Sequence, residues 1–364
     1  MELRRLGCSR AVIVTDLFLH NEIELTKKIE KSLGSKCVGV FDEVPSDSGV
    51  HTVHAGTQFA SSRGADSLIS VGGGSVIDTA KGMSILLKEG GSLLDYQGFQ
   101  VLTRPQTPHI SIPTTAGSGS EVTYAAVIKD HEKRQKLLFA DHHLLPHVAI
   151  LDPVLTVGLP PFLTAGTGMD ALSHGVEAVT SAQRTPISDA LGLHAIRLIR
   201  RWLPEAVKNG GDLSARGEML IAATMAGMAF SNAQVGLTHA IAHVVGARHD
   251  IHHGVLNAIA MPYVIRHNND WVADRHAAIA EALGVDICGM SEQAAGLKAA
   301  EAILGLNQKM GLPTRLQDIA IPESDLEICA EMAMADGSIV YNPKPITEPA
   351  EVLQVLRAAW QGIS

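Results

Sequence analysis

The chain predicts an α/β dinucleotide-binding domain built on a parallel sheet over residues 1–153, followed by an all-helical domain over residues 154–364. Three observations carry this. Short apolar runs alternate with helical periods at the start, long stretches rich in Ala, Leu, Met and Ile follow, and clustered prolines mark the change of texture. A length of 364 residues is also more than one ordinary core accommodates.

Val12-Ile13-Val14-Thr15-Asp16 is an apolar run with a polar end, as in a strand buried on both faces. Residues 22–33 follow with helical spacing (Ile23, Leu25, Ile29, Leu33), and Gly34 is a stop signal. Cys37–Val44 predicts a strand, 51–63 a helix, and Ser67–Val71 a strand leading into Gly72-Gly73-Gly74-Ser75. The helix opening there carries Val76-Ile77-Asp78-Thr79-Ala80-Lys81, and His109–Pro113 is a further strand. Alternating β and α segments with short connections argue for a parallel sheet covered on both faces. Asp152-Pro153 and Pro160-Pro161 mark the boundary, because each proline denies its predecessor a helical conformation. Beyond it, 186–202, 214–231, 235–247 and 291–310 suit buried or half-buried helices. There is no internal repeat or low-complexity linker, so a cleft between closely packed halves is the expected place for a ligand.

Composition excludes several classes. A formal charge of −9 without a long basic run leaves nucleic acid and anionic membranes without an attractive surface. No apolar stretch approaches the roughly 18 residues a bilayer span needs. MELRRLGCSR has two arginines but no apolar region or cleavage site after them, so a secretory signal is not expected. Cys8, Cys37, Cys288 and Cys329 are scattered and form no CxxC pair, which points to reduced thiols in a cytoplasmic protein.

A pyrophosphate needs backbone N–H donors and close approach, which glycine permits. Gly72-Gly73-Gly74-Ser75 is placed for this, directly after a strand and opening a helix, although Ile77 breaks the GxGxxG pattern and a structural turn is the alternative. Pro113-Thr114-Thr115-Ala116-Gly117-Ser118-Gly119-Ser120 offers hydroxyls at the same sheet edge, where ligands of open α/β sheets collect. Asp16 can accept from a ribose diol and repel a 2′-phosphate, favouring NAD over NADP; an ordinary N-cap is the alternative.

Asp170 and His174 stand four apart, on one helical face, and His239 and His243 repeat that spacing. His252 and His253 follow, ahead of Gly254. A lone histidine in an apolar helix is usually a satisfied core residue. Two such pairs would bury polarity in Ala/Leu-rich surroundings, and a divalent cation compensates that well. Aspartate and histidine without cysteine suit Fe(II) or Zn(II), and open positions would make the ion a Lewis acid toward a carbonyl or alcohol oxygen. Spacing alone does not separate His239 from His243.

Val14-Thr15-Asp16, Gly72–Lys81, Pro113–Thr123, Gly168–Ser181, Gly236–Asn268 and the closing Asn342-Pro343…Ala359-Trp360, in that order, resemble the iron-containing (group III) alcohol dehydrogenase family over almost the whole chain. The resemblance implies the dehydroquinate synthase-like fold of that family, an NAD-dependent hydride transfer on a small primary alcohol or aldehyde, and a homodimer or larger homo-oligomer. It implies Asp170, His174, His239 and His253 as metal ligands, with His243 a positioning or proton-relay group. It also matches Asp16, Gly73, Gly74, Ser75, Thr114, Thr115 and Lys136 to NAD-contacting positions, resolving Asp16 toward the ribose.

Two departures stand out. The N-terminus lacks the extra strand and FGxG-like turn with which family members usually begin. Ahead of the last ligand, where many relatives carry aromatic residues and a proline, this chain has Arg248-His249-Asp250-Ile251-His252. Those basic groups suggest a substrate bearing a carboxylate or phosphate, since a guanidinium suits such an anion. A solvated loop with Arg248 paired to Asp250 is the alternative. Two other functions fit less well: a dehydroquinate synthase-like lyase, and a silent homologue serving in assembly or NAD sensing, which would not need a complete ligand set.

Overall fold

A computed structural model describes residues 1–133 and 135–362. It divides into two compact units, Met1–Thr115 with Gly119–Thr156, and Ala116–Ser118 with Val157 onward.

In the first unit the elements run α1 (Glu2–Arg5), β1 (Ala11–Val14), α2 (Leu25–Leu33), β2 (Cys37–Phe41), α3 (Val50–Ser62), β3 (Ser67–Gly72), α4 (Gly74–Glu89), β4 (Gly98–Phe99), β5 (His109–Pro113), β6 (Ala125–Asp130), β7 (Gln135–Ala140) and β8 (Val148–Ala149). Five strands form one sheet in the order β2-β1-β3-β5-β8, and every pairing in it is parallel. All four residues of β1 are wholly buried, which is why that run shows no polar alternation. The chain leaves β1 to one side for β2 and returns to the other side for β3. The ends of β1 and β3 therefore flank the topological switch point, where such sheets take their ligands.

The second sheet, β4-β7-β6, was not foreseen. Its antiparallel pair β6–β7 alternates inside and outside along β6, with Ala126, Ile128 and Asp130 buried. Boundaries also move, and the helix expected over 186–202 continues to Lys208. The expected strand to Val44 stops at Phe41. The helix expected from residue 22 starts at Leu25, after a single π-helical turn, Phe18–Glu22.

The second unit is helical: α5 (Pro161–Thr180), α6 (Pro186–Lys208), α7 (Leu213–Ala233), α8 (Leu237–His249), α9 (His253–Asn268), α10 (Ala273–Ala282), α11 (Glu292–Lys309), α12 (Leu326–Ala333) and α13 (Pro349–Gln361). Pro161 occupies the first turn of α5, where its missing N–H costs nothing. From Thr164 to Thr180 α5 is buried on nearly every side, because α6, α7 and α9 all pack on it. Two of those contacts need glycine. A Cβ on Gly168 would stand 2.3 Å from Leu203, and one on Gly254 would stand 2.1 Å from the Gly166 carbonyl oxygen. α5 and α9 thus meet backbone to backbone. In the closing pattern, Asn342 and Asn268 exchange amide hydrogen bonds of 2.9 Å, and Trp360 donates to the Ile321 carbonyl at 2.8 Å. Among the described residues all four cysteines are free, and no single helix is long and apolar enough to cross a membrane.

Candidate functional site

In the first unit, Asp16, Gly73, Gly74, Ser75, Thr114 and Thr115 lie at the carboxyl ends of β1, β3 and β5, whereas Lys136 is the second residue of β7 in the other sheet. Gly73 is the N-cap of α4, a 16-residue helix whose first turn no side chain caps. Such an end presents N–H groups and positive partial charge to an anion. Space requires glycine at position 72, and position 73 is tight. A Cβ on Gly72 would stand 2.5 Å from Val76, and one on Gly73 would stand 3.3 Å from Thr115. Gly74 and Ser75 open the helix, and the Ser75 hydroxyl accepts from the Asp47 amide at 3.2 Å. The Thr114 amide donates to the Gly72 carbonyl at 3.0 Å, tying the end of β5 to the glycine turn.

Asp16, just beyond β1, accepts from the Leu19 amide through Oδ1 at 2.8 Å, so it does the capping work weighed above as the alternative to ribose binding. One oxygen suffices for that bond. Burial pushes the Asp16 carboxyl up, and the Leu19 and Phe18 amides only partly offset this. Lys136 lies 3.8 Å from the Asp47 carboxylate.

Lys81, the last residue of the glycine-helix motif, has a larger part than expected. It is wholly buried and donates to Ser120 Oγ at 2.8 Å, Thr123 Oγ1 at 3.1 Å and the Ala125 carbonyl at 2.7 Å. Burial lowers its ammonium to about 8. It fastens α4 to the polar segment that follows β5.

In the second unit, α5 and α8 bring three of the four expected ligands together, and α9 sets the fourth, His253, beside one of them. Asp170, His174 and His239, all buried, each offer an atom within 4.8 Å of the others. His253 Nε2 is 3.6 Å from Asp170 Oδ1, and His239 Nε2 is 4.0 Å from the same oxygen. Ligand atoms at about 2.0–2.2 Å from one cation stand roughly 3–3.6 Å apart, so modest tightening would suffice. The His174 ring stacks on Phe230 and on His239, with centroids 4.1 and 4.6 Å away. Burial pushes the His174 imidazole down to about 4, which keeps its nitrogen lone pair available.

Three residues that sequence reasoning missed surround this group. Glu177 is buried at the far end of the α5 face that carries Asp170 and His174. Its Oε2 lies 2.6 Å from His239 Nδ1 and accepts from the Gly236 amide at 2.8 Å, while Oε1 accepts from the Thr238 amide at 2.7 Å. Burial alone would raise this carboxyl; the His239 bond and charge and the backbone amides outweigh it and hold it below the usual range. With its proton on Nδ1, His239 turns Nε2 toward Asp170. This carboxylate–imidazole pairing is the partner that metal-bound histidines ordinarily have.

Asn257, one turn along α9 from His253, places Nδ2 2.8 Å from Asp170 Oδ1, 3.1 Å from His253 Nε2 and 3.3 Å from His239 Nε2. One carboxylate oxygen and two imidazole nitrogens thus converge on one amide nitrogen, as they would on a cation. The donor set fits a transition metal: nitrogen and carboxylate ligands, a neutral buried imidazole and an anchored one.

Asp336 is the third. Its Oδ2 is 2.9 Å from His243 Nδ1. The His243 ring stacks on His253 with centroids 5.3 Å apart and meets His239 edge-on at 6.0 Å. His239 and His243, equivalent by spacing, thus have different surroundings. Arg248 corrects an expectation: its Nε bonds Asp325 Oδ2 at 2.8 Å rather than Asp250, and His249 Nε2 lies 3.4 Å from the same oxygen. Asp250 instead ends α8 in the left-handed conformation that Asp tolerates.

Two family models match the chain: "Iron-containing alcohol dehydrogenase" over residues 1–153, and "Fe-containing alcohol dehydrogenase family, C-terminal" over residues 164–360. The chain is 38% identical to the NAD-dependent methanol dehydrogenase of Bacillus methanolicus, covering 98% of this chain and 94% of that one. It is 39% identical to the 1,3-propanediol dehydrogenase of Klebsiella pneumoniae, covering 98% and 92%. The crystal structure of a 1,3-propanediol oxidoreductase superposes with a TM-score of 0.95 at 38% identity, covering 99% of this chain and 94% of that one.

Proposed function

The chain belongs to the iron-containing alcohol dehydrogenase family, and from that premise we propose that it moves hydride between NAD and small primary alcohols or their aldehydes. The observation that carries this reading is the convergence of Asp170, His174 and His239 on one buried point, with His253 against the same carboxylate. Those four residues would hold Fe(II) or Zn(II). When bound, the cation would polarise the alcohol or carbonyl oxygen, and NAD would take or return the hydride.

The chain's own residues supply the rest. Glu177 anchors His239 so that the imidazole presents one nitrogen and one orientation. His243 would handle the hydroxyl proton. Asp16, the Gly73-Gly74-Ser75 turn, Thr114, Thr115 and Lys136 would hold the nucleotide, with the N-terminus of α4 supplying the pyrophosphate site. Small primary alcohols are favoured because relatives named for methanol and 1,3-propanediol match nearly the whole chain. A second reading, in which Arg248 selects an anion-bearing substrate, finds that cation already engaged by Asp325.

The test is elemental analysis of the purified protein, then NADH formation with methanol, ethanol, 1-butanol, 1,3-propanediol and 4-hydroxybutyrate. We expect bound iron or zinc, turnover of the uncharged alcohols, and a 4-hydroxybutyrate to 1-butanol ratio of kcat/KM that Arg248→Ala leaves unchanged. A metal-loaded, folded sample that makes no NADH from any alcohol would remove the dehydrogenase reading in favour of a lyase or a silent homologue. A ratio that collapses in the variant would restore the anionic substrate.

A further inference from the structure

Of the two histidines on α8 that share the ligand spacing, His243 is bonded at Nδ1 by a carboxylate distant in sequence. Asp336 caps the short helix Gly337–Tyr341: its Oδ1 accepts from the Ser338 amide at 2.8 Å, which fixes the plane of the carboxylate. The other oxygen, Oδ2, lies 2.9 Å from His243 Nδ1. A carboxylate accepts hydrogen bonds and donates none, so Nδ1 must carry a proton, and in the neutral imidazole Nε2 then keeps its lone pair. The ring lies nearly parallel to that of His253, at an interplanar angle of 14°.

We propose that Asp336 is a positioning residue that acts through His243, holding the imidazole in the Nδ1–H tautomer with Nε2 ready to take a proton. The inference rests on the proton-handling role proposed for His243. It adds what sets that role: the loop after α12 controls which ring nitrogen can act. The proton moves from the substrate hydroxyl to Nε2 during alcohol oxidation and returns during aldehyde reduction, while Asp336 remains a carboxylate throughout.

Asp336→Asn isolates the effect. The amide oxygen can still cap Ser338, but the amide N–H then faces Nδ1 and forces the proton onto Nε2. For the zinc-loaded protein we expect kcat to fall about 100-fold or more, the range of a lost proton-transfer group, with KM and metal content unchanged. Nitrogen-15 NMR of labelled histidine should report Nδ1–H in the wild type and Nε2–H in the variant. In a His243→Ala background, Asp336→Asn should cost nothing further. Three results would overturn the proposal: a kcat within about threefold of wild type, an unchanged tautomer, or an equal loss in the His243→Ala background, which would mark a structural role. If the wild type oxidises no alcohol, the functional reading falls, while the nitrogen shifts still decide whether Asp336 sets the tautomer.

Discussion

Glu177 shows how much a single buried carboxylate can organise. Its two oxygens take three donors, from Gly236, Thr238 and His239, and so fix both the entry to α8 and the ring of a proposed ligand. Replacing it with Gln keeps the volume but puts an N–H against donors. An unmade buried hydrogen bond costs about 1–3 kcal/mol, and loss of a metal-histidine's anchoring carboxylate typically weakens metal binding about 10–100-fold. Glu177→Gln should therefore lower zinc affinity by that factor in a chelator competition. An affinity equal to wild type would mean that His239 is oriented by packing alone. The residue was within reach of sequence reasoning: it lies three positions after His174, on the same helical face, in an otherwise apolar run. Asp336 was not, because 93 residues separate it from His243.

At the scale of elements, the site depends on how closely α5 and α9 approach. Gly254 follows His253 directly, and its missing side chain lets α9 rest on the backbone of α5. A Cβ there would meet the Gly166 carbonyl oxygen at 2.1 Å and Asp170 Cβ at 3.1 Å. Backbone cannot swing aside as a side chain does, so the helices would separate. Gly254→Ala should lose about 1–3 kcal/mol of stability in urea melts, the usual cost of overpacking, and also bind zinc less tightly. Gly305, exposed in α11 with open space where a Cβ would stand, is the control. Gly305→Ala should be neutral or stabilising by up to about 1 kcal/mol. Equal behaviour of the two variants would remove the close-approach argument. The Gly254 signal was visible only as a glycine beside a histidine; which backbone it met depended on the crossing of two helices.

For the whole molecule, each unit contains a histidine buried in its neutral form, and this sets the response to acid. In the first unit His109 Nε2 lies 2.7 Å from Ser70 Oγ, and burial lowers its imidazole to about 3. In the second, His276 Nδ1 bonds Asn269 Oδ1 at 3.1 Å, and burial lowers it to about 4. An unfolded histidine protonates near 6.5, so the unfolded chain binds protons that the fold refuses. The stability each neutral ring contributes is therefore complete above about 6.5 and is lost as pH falls toward its folded value. The limiting slope is about 1.4 kcal/mol per pH unit for each histidine. Denaturant melts between pH 7 and 4 should show a shallower slope in His109→Gln and in His276→Gln than in the wild type. Slopes that coincide would assign the acid sensitivity to carboxylates.

Local chemistry was enough for the outline. Fully apolar runs specify strands buried on both faces, as Ala11–Val14 and Ser67–Gly72 prove to be, and proline pairs specify a helix start, as at Pro161. Asp170 and His174 share a face because 3.6 residues make a turn, wherever the helix goes. The hairpin β6–β7 escaped because its period-two pattern runs for only six residues and was masked by the polar segment before it. Only the folded chain could decide that Arg248 faces Asp325, that His239 and His243 have different carboxylates, and that the Asn257 amide faces three candidate ligand atoms. Those outcomes follow from contacts between residues far apart in sequence. Helical periodicity fixes the direction of a side chain within its own element, and tertiary packing chooses what stands opposite.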